Sequence, residues 1–357
     1  MLYRTIDSIG PLDAEAMAAA KAHQGRLAIP EGSLGRFHEL GIRMAGITGN
    51  PRPQIRDLAI ITMAGDHGVA GQGVSKFPQA VTREMVANFA RGGAAINVLA
   101  SHVGARLTVV DMGVAGPPMQ IHMSHKNGIR YESRKIAGGT WDISLGPAMT
   151  REQAMRALET GIEIFRDECR SGLEAVGTGD MGIANTTSSS AVAAALLQTE
   201  PNQLVNRGTG IDDEAFEIKV KVVARSLEVN RPDPEDPLGV LAKVGGFEIG
   251  GIAGVILAAC ASRVPVVVDG FISTAAALLA SRFHPAVKDY LFGGHLSAVD
   301  GHRLMLQDLG LAPLVQLGLR LGEGTGAALG LSMLAAASRI ANDVLTFEEA
   351  AVSGPGG

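Results

Sequence analysis

At 357 residues the chain exceeds one typical domain, and at about 150 residues per domain it has room for two, or for one large α/β unit. Hydrophobic residues make up 46% and charged residues 19%, which allows a large buried core and argues against wholesale disorder. The balance of 31 basic against 36 acidic residues, net −5 with no basic cluster, argues against nucleic acid as a partner.

Two cysteines, Cys169 and Cys260, stand far apart with no metal-ligand spacing, the pattern of buried thiols in a reducing compartment. The first residues, MLYRTIDSIGPLDAEAM, hold no apolar signal core. The longest uncharged run, 249–262, is too short and too glycine-rich to span a bilayer. A soluble, cytoplasmic protein without a membrane span is expected.

The first fifty residues read as helices: AEAMAAAKAHQGRLA is alanine-rich, and Ser33 is placed to cap a helix through GRFHELGIRMAG. After Asn50-Pro51-Arg52-Pro53, apolar runs alternate with helical ones. Strands are expected at 57–65, 106–113, 174–180, 264–270, 290–295 and within 311–319. The segment from Val81 to Gly104 is expected as one long helix. The stretch from 114 through Trp141 is expected as a glycine- and proline-rich excursion. Further helices are expected over 150–170, SSSAVAAALLQ, EIKVKVVARSLEVN, 245–263 and FISTAAALLASRF. This alternation predicts a doubly wound, mostly parallel, Rossmann-like α/β sheet. Both chain ends are helical, so residues 1–50 and about 330–357 are expected as a small helical domain beside a large α/β domain over 51–329.

Chemistry is expected in the loops after strands, where open α/β sheets bind ligands. In LRLGEGTGAAL (319–329), Glu323 stands between two glycines that permit close backbone approach. It reads either as a proton acceptor in a crevice or as a partner for helix N-terminal amides. Residues 177–182 satisfy G-x-G-x-x-G, yet the acid that should end the next strand about twenty residues on is missing, because Glu200 ends a helical run before Pro201. A phosphate cradle is the simpler reading, and a well-capped helix would use the same residues. The turn NRGTG (206–210) and a cation from Lys219 or Lys221 could complete an anion site. Asp66-His67 reads as a hydrogen-bonded structural pair. His122/His125 and His295/His302 lack the carboxylates or cysteines of a metal site, so no metal is expected. Asp269, ending VPVVVD, could bind a ribose hydroxyl or fix a neighbouring loop.

Taken in order, PEGSLGRFHEL (30–40), AGDHGVAGQGVSKFPQAVTREMVANFARGGAAINVLA (64–100), TGDMGIANTTSSSA (178–191), NRGTGIDD (206–213), VGGFEIGGIAG (244–254), VDGFIST (268–274), LRLGEGTGAAL and TFEEAAVS (346–353) resemble the nicotinate-nucleotide–dimethylbenzimidazole phosphoribosyltransferases of cobalamin lower-ligand assembly. The resemblance covers nearly the whole chain. It implies transfer of phosphoribose from nicotinate mononucleotide to a benzimidazole, giving nicotinate and α-ribazole 5′-phosphate with inversion, without metal or organic cofactor. It implies Glu323 as the base that takes the azole proton. It implies substrate contacts from Asp180, Gly182, Ile183, Asn185 and Thr186, from Gly208, Thr209 and Gly210, and from Lys219, Asp269, Leu321 and Gly322. Asp180 stands where some members have glutamate, one methylene longer. Phe77 and Met85 occupy positions that border the base pocket and are polar in some relatives, which should favour flat, apolar bases. Homodimers are implied as well. The competing readings are an NAD-dependent oxidoreductase on the 177–182 fingerprint and a non-catalytic nucleotide-binding protein on the same fold.

Overall fold

The computed structural model describes residues 1–117, 119, 128–208 and 210–354. Among them seven strands form one sheet: β1 (Leu58–Gly65), β2 (Ala105–Gly113), β3 (Ile129–Ser133), β4 (Ala175–Met181), β5 (Val266–Val268), β6 (Leu291–His295) and β7 (Pro313–Val315). The spatial order is β3-β2-β1-β4-β5-β6-β7, and every pairing is parallel. Parallel strands covered by helices on both faces must be apolar throughout, and β1, LAIITMAG, is buried at every position. The order reverses between β1 and β4, so their carboxyl ends open the crevice where such sheets take ligands.

The helices are α1 (Leu2–Ile6), α2 (Ala14–Gln24), α3 (Arg36–Thr48), α4 (Ala80–Arg91), α5 (Ala95–Val103), α6 (Arg151–Cys169) and α7 (Asn185–Leu197), then α8 (Asp213–Asn230), α9 (Pro237–Val244), α10 (Phe247–Ala261), α11 (Phe271–Phe283), α12 (Val287–Tyr290), α13 (His302–Leu309) and α14 (Thr325–Asp343). α10 is buried almost all round and lies against α6. The backbones meet so closely that a Cβ on Gly254 would come 2.0 Å from the Leu158 carbonyl, a contact only glycine allows. No helix among the described residues is long and apolar enough to cross a membrane.

Several expectations need correction. β3, IRYES, lies within the stretch expected as an excursion: it is a half-exposed edge strand whose Arg130 and Glu132 pair with each other, so it has no apolar run to announce it. The long helix expected from Val81 is two helices, because Gly92 takes φ +83° and ends α4. Ser33 caps nothing; α3 starts after Gly35, which has no side chain to offer. Of the run 311–319 only Pro313–Val315 pairs, and Leu317 is exposed as the chain leaves the edge of the sheet. α9 was not anticipated.

The chain ends meet. α2, α3 and α14 pack together, Leu27 bridges Thr346, and the His23 ring lies 2.9 Å from the Ala341 carbonyl. α14 also lies on β4, β5 and β6, which ties the ends to the sheet and carries the Glu323 loop at its own start.

Candidate active site

The turn after β4 forms one wall of the crevice. Gly177 and Gly179 of the G-x-G-x-x-G match lie inside the strand, and Glu200 sits at a short 3-10 turn, so this is no dinucleotide loop. Gly182 packs on β1 so tightly that a Cβ would stand 2.3 Å from the Gly65 carbonyl. The Ile183 amide donates to Thr82 Oγ1 at 3.0 Å, and Ala184 takes φ +71° to start α7. The first turn of α7 thus opens into the crevice with a positive helix end, as an anion requires, although the Asn185 and Thr187 amides are already bonded to the Gly182 and Ala184 carbonyls.

Lys219 reaches the same place from α8. It is 1% exposed, and its Nζ donates to Thr186 Oγ1 at 2.7 Å and to the Asn206 carbonyl at 3.0 Å. No carboxylate pairs with it among the described residues. Burial lowers its pKa to about 7. A buried cation with only neutral partners is a site short of an anion. Lys221, the other cation considered, is exposed to solvent. Arg207 and Arg320 also line the crevice, and Arg320 donates to the Gly208 carbonyl at 3.2 Å, joining the 206–210 turn to the Glu323 loop. Gly208 lines the crevice beside Lys219; Gly210, at φ +103°, is exposed, and Thr209 lies outside the described residues.

One buried carboxylate, Asp180, lines the floor, and Asp269 is buried close to it. Asp180, at the end of β4, accepts from Asn185 Nδ2 on Oδ2 at 2.9 Å, while Oδ1 is buried with no partner. Burial, and then the charge of Asp269, raise its pKa well above the usual carboxylate value. Asp269 accepts the amides of Gly324 at 3.0 Å, Gly326 at 2.6 Å and Ala327 at 3.1 Å. Those bonds perform the loop-fixing role and engage both its oxygens. Burial nevertheless pushes it up to about 7 against the pull of the amides.

Glu323 takes φ +66° between Gly322 at +81° and Gly324 at +101°, a conformation a non-glycine residue adopts only when its surroundings force it. Its amide donates to the Asp180 carbonyl at 3.2 Å and its carbonyl accepts from Thr62 Oγ1 at 2.8 Å. The side chain is 5% exposed, and Oε2 accepts the Ile96 amide at the start of α5 at a long 3.3 Å. Burial raises its pKa more than that amide lowers it. The bond to a helix N-terminal amide, one of the two sequence readings, is thus present, though to α5 and not to α14. The open crevice reaches Leu321 and Gly322, with Glu323 just behind them.

Phe77 is 44% exposed, two residues beyond Ser75 on the rim, and Met85 is half-buried on α4; neither lines the crevice. Asp66 and His67 were expected as a hydrogen-bonded pair, but each bonds elsewhere: His67 bonds Ser188 and Glu248, and Asp66 accepts the Ala115 amide at 2.7 Å. His302 is held by Thr274 and the Ser297 amide, and His295 lies on the crevice wall beside Asp269. Among the described residues no three metal-ligating groups converge; His122 and His125 lie outside them. Sequence reasoning missed Arg207, Arg320, Ser188 and Glu248. Glu248 had a signal, as the lone charge in the long apolar stretch from 244 to 262.

A family model described as a phosphoribosyltransferase matches residues 9–352. The chain is 51% identical over 354 residues to the nicotinate-nucleotide–dimethylbenzimidazole phosphoribosyltransferase of Desulforudis audaxviator, covering 99% of this chain and 98% of that protein. It is 53% identical to the enzyme of the same name from Roseiflexus sp., with the same coverage. The crystal structure of CobT from Thermus thermophilus superposes with a TM-score of 0.89 at 44% identity, over 95% of this chain and 99% of that one.

Proposed function

Because the chain belongs to the phosphoribosyltransferase family, we propose that it moves phosphoribose from nicotinate mononucleotide to 5,6-dimethylbenzimidazole or a related lower-ligand base. The products are nicotinate and α-ribazole 5′-phosphate, in cobalamin nucleotide-loop assembly. The observation that carries this reading is Lys219, a buried cation with no acidic partner among the described residues, set in one crevice with the α7 N-terminus and Asp180 and next to Glu323.

On this reading the donor phosphate lies against the α7 N-terminus, Thr186, Gly208 and Lys219, with Arg320 closing the turn. Asp180 Oδ1, which lacks a partner, accepts a ribose hydroxyl. The C1′–N bond of the pyridinium breaks and its electron pair leaves with nicotinate, a good leaving group that needs no protonation. A benzimidazole nitrogen forms the new C1′–N bond from the opposite face, while its other nitrogen gives its proton to Glu323. Burial raises the basicity of that carboxylate, and the constrained loop fixes its direction. Asp269 holds the loop from behind. Phe77 and Met85, which lie outside the crevice lining, are assigned to the outer edge of the base site, where their apolar side chains would favour a flat ring.

The same reading makes the helical chain ends, 1–50 with about 330–357, a small domain beside the catalytic one, and the enzyme a cytoplasmic homodimer. Nicotinate release from nicotinate mononucleotide, measured with and without 5,6-dimethylbenzimidazole in wild type and Glu323→Gln, tests the assignment. Release that requires the base and falls at least about a thousandfold in the variant is expected, since a general base contributes roughly that much. Wild type that binds the nucleotide but releases nothing would make the protein a binding module.

A further inference from the structure

Behind the crevice lies a second group of polar residues that the transfer chemistry does not use. His67 follows β1 directly and its side chain is wholly buried. Its Nε2 lies 2.8 Å from Glu248 Oε1 on α10, and its Nδ1 lies 2.9 Å from Ser188 Oγ on α7. Its backbone carbonyl accepts from Gln79 Nε2 at 3.3 Å, at the end of the rim segment that contributes Val74 and Ser75 to the crevice. One residue therefore joins β1, α7, α10 and the rim.

A Ser–His–Glu chain of this geometry would serve a hydrolase as nucleophile, base and orienting acid. Here Ser188 and His67 are completely buried, with no room for a substrate carbonyl. The packing instead closes a ring around the turn that follows β4. Gly182 rests on the Gly65 carbonyl, and a Cβ on Gly65 would stand 2.9 Å from Glu248 Oε2. Gly246 lies against the pair on its other side, where a Cβ would meet His67 Cε1 at 2.5 Å. From Glu248 the ring returns through His67 to Ser188, one turn into the helix that Asn185 and Thr186 begin. Burial works against a charged imidazole here, but Glu248, and then Asp66, outweigh it and raise the His67 pKa. An imidazolium donates from both nitrogens, so both bonds can form together.

We propose that His67 is a positioning residue for phosphoribosyl transfer: held between Ser188 and Glu248, it locks the first turn of α7 and sets where Asn185 and Thr186 meet the nucleotide donor. The inference rests on the transferase reading above. It assigns the effect to the donor side alone, because Glu323 is held by a different set of bonds, from Asp180, Thr62 and Ile96.

The test is calorimetric titration of nicotinate mononucleotide together with steady-state kinetics, on wild type, Ser188→Ala and Glu248→Gln. Ser188→Ala removes one hydroxyl and should fold normally. Its donor Kd and donor KM should rise about tenfold, while the KM for dimethylbenzimidazole stays within twofold. Glu248→Gln keeps an acceptor oxygen for Nε2–H and should hold donor affinity within about threefold of wild type. Donor binding unchanged in Ser188→Ala overturns the proposal. So does an equal rise in both KM values, or a fall in active fraction with both KM values intact, since those mark a merely structural contact. Wild type that binds no nicotinate mononucleotide would bring down the transferase reading and this inference with it, and is distinguished from failure of the inference alone by the wild-type titration.

Discussion

Asp269 holds Glu323 in place without touching its side chain: its carboxylate accepts the amides of Gly324, Gly326 and Ala327, just after it in the chain. These bonds cap α14 and anchor a loop in which three successive residues have positive φ. The strain of Glu323, on the order of 1–3 kcal/mol, is thereby offset by a charge-assisted cap.

Asp269→Asn turns one acceptor into a donor that faces the Gly324 amide or the Gly326 and Ala327 pair. A buried donor left against donors costs about 1–3 kcal/mol, which should appear in thermal or denaturant unfolding. The kcat should fall at least about tenfold while the KM of the nucleotide donor changes little. A variant with wild-type kcat and lowered stability would separate the cap from catalysis.

The pH dependence follows from two groups with opposite shifts. Glu323 must be ionised to accept a proton, so kcat should rise with pH through a pKa above the ordinary 4.5. Lys219 must be charged to hold phosphate, so kcat/KM for the donor should fall as pH rises through about 7. The phosphate stabilises the ammonium, so at saturating donor the alkaline limb should move upward. A kcat/KM profile flat from pH 6 to 9 would contradict the role given to Lys219.

Lys219 also links function to stability. Its folded pKa of about 7 lies below the unfolded 10.5, so between those values the unfolded chain binds more protons. Stability from this group therefore rises with pH across that window and is lowest below about 7. Lys219→Met should remove the rise and leave the protein as stable as wild type or more so at pH 7. It should also lose about 2–5 kcal/mol of donor binding, at least thirtyfold in kcat/KM. Equal donor affinity in the variant would place the phosphate elsewhere.

Gly182→Ala tests the close approach of the β4 turn to β1. With a Cβ 2.3 Å from the Gly65 carbonyl the turn must shift, at about 1–3 kcal/mol, and Asp180 through Thr186 shift with it. Unfolding midpoint and donor affinity should fall together. Retention of both would show that the crevice tolerates movement there.

Phe77→Ser tests base selection. The ratio of dimethylbenzimidazole turnover to adenine turnover should fall several-fold, and the donor KM should stay constant. An unchanged ratio would remove Phe77 from the base pocket.

The long buried strands β1, β2 and β4 were legible because parallel strands between helical layers are largely apolar and end in glycine-rich turns. Strand β3 was not, since an edge strand needs only one partner and its polar side chains pair with each other. The break at Gly92 escaped because apolar periodicity resumes directly after it. Glu323 could be singled out by its flanking glycines, but whether it faces substrate or an amide depends on Ile96, 227 residues away.

By itself the sequence determined the α/β alternation, the glycine-rich loops that follow the strands and the carboxylate set between two glycines. Each of these is set by local periodicity and backbone freedom within a few residues. Only the tertiary structure decided that Lys219 is buried on Thr186 and the Asn206 carbonyl, that Asp269 engages helix amides, and that His67 joins Ser188 to Glu248. Those outcomes depend on burial and on partners from distant strands, because the free energy of a charge is set by what surrounds it in space.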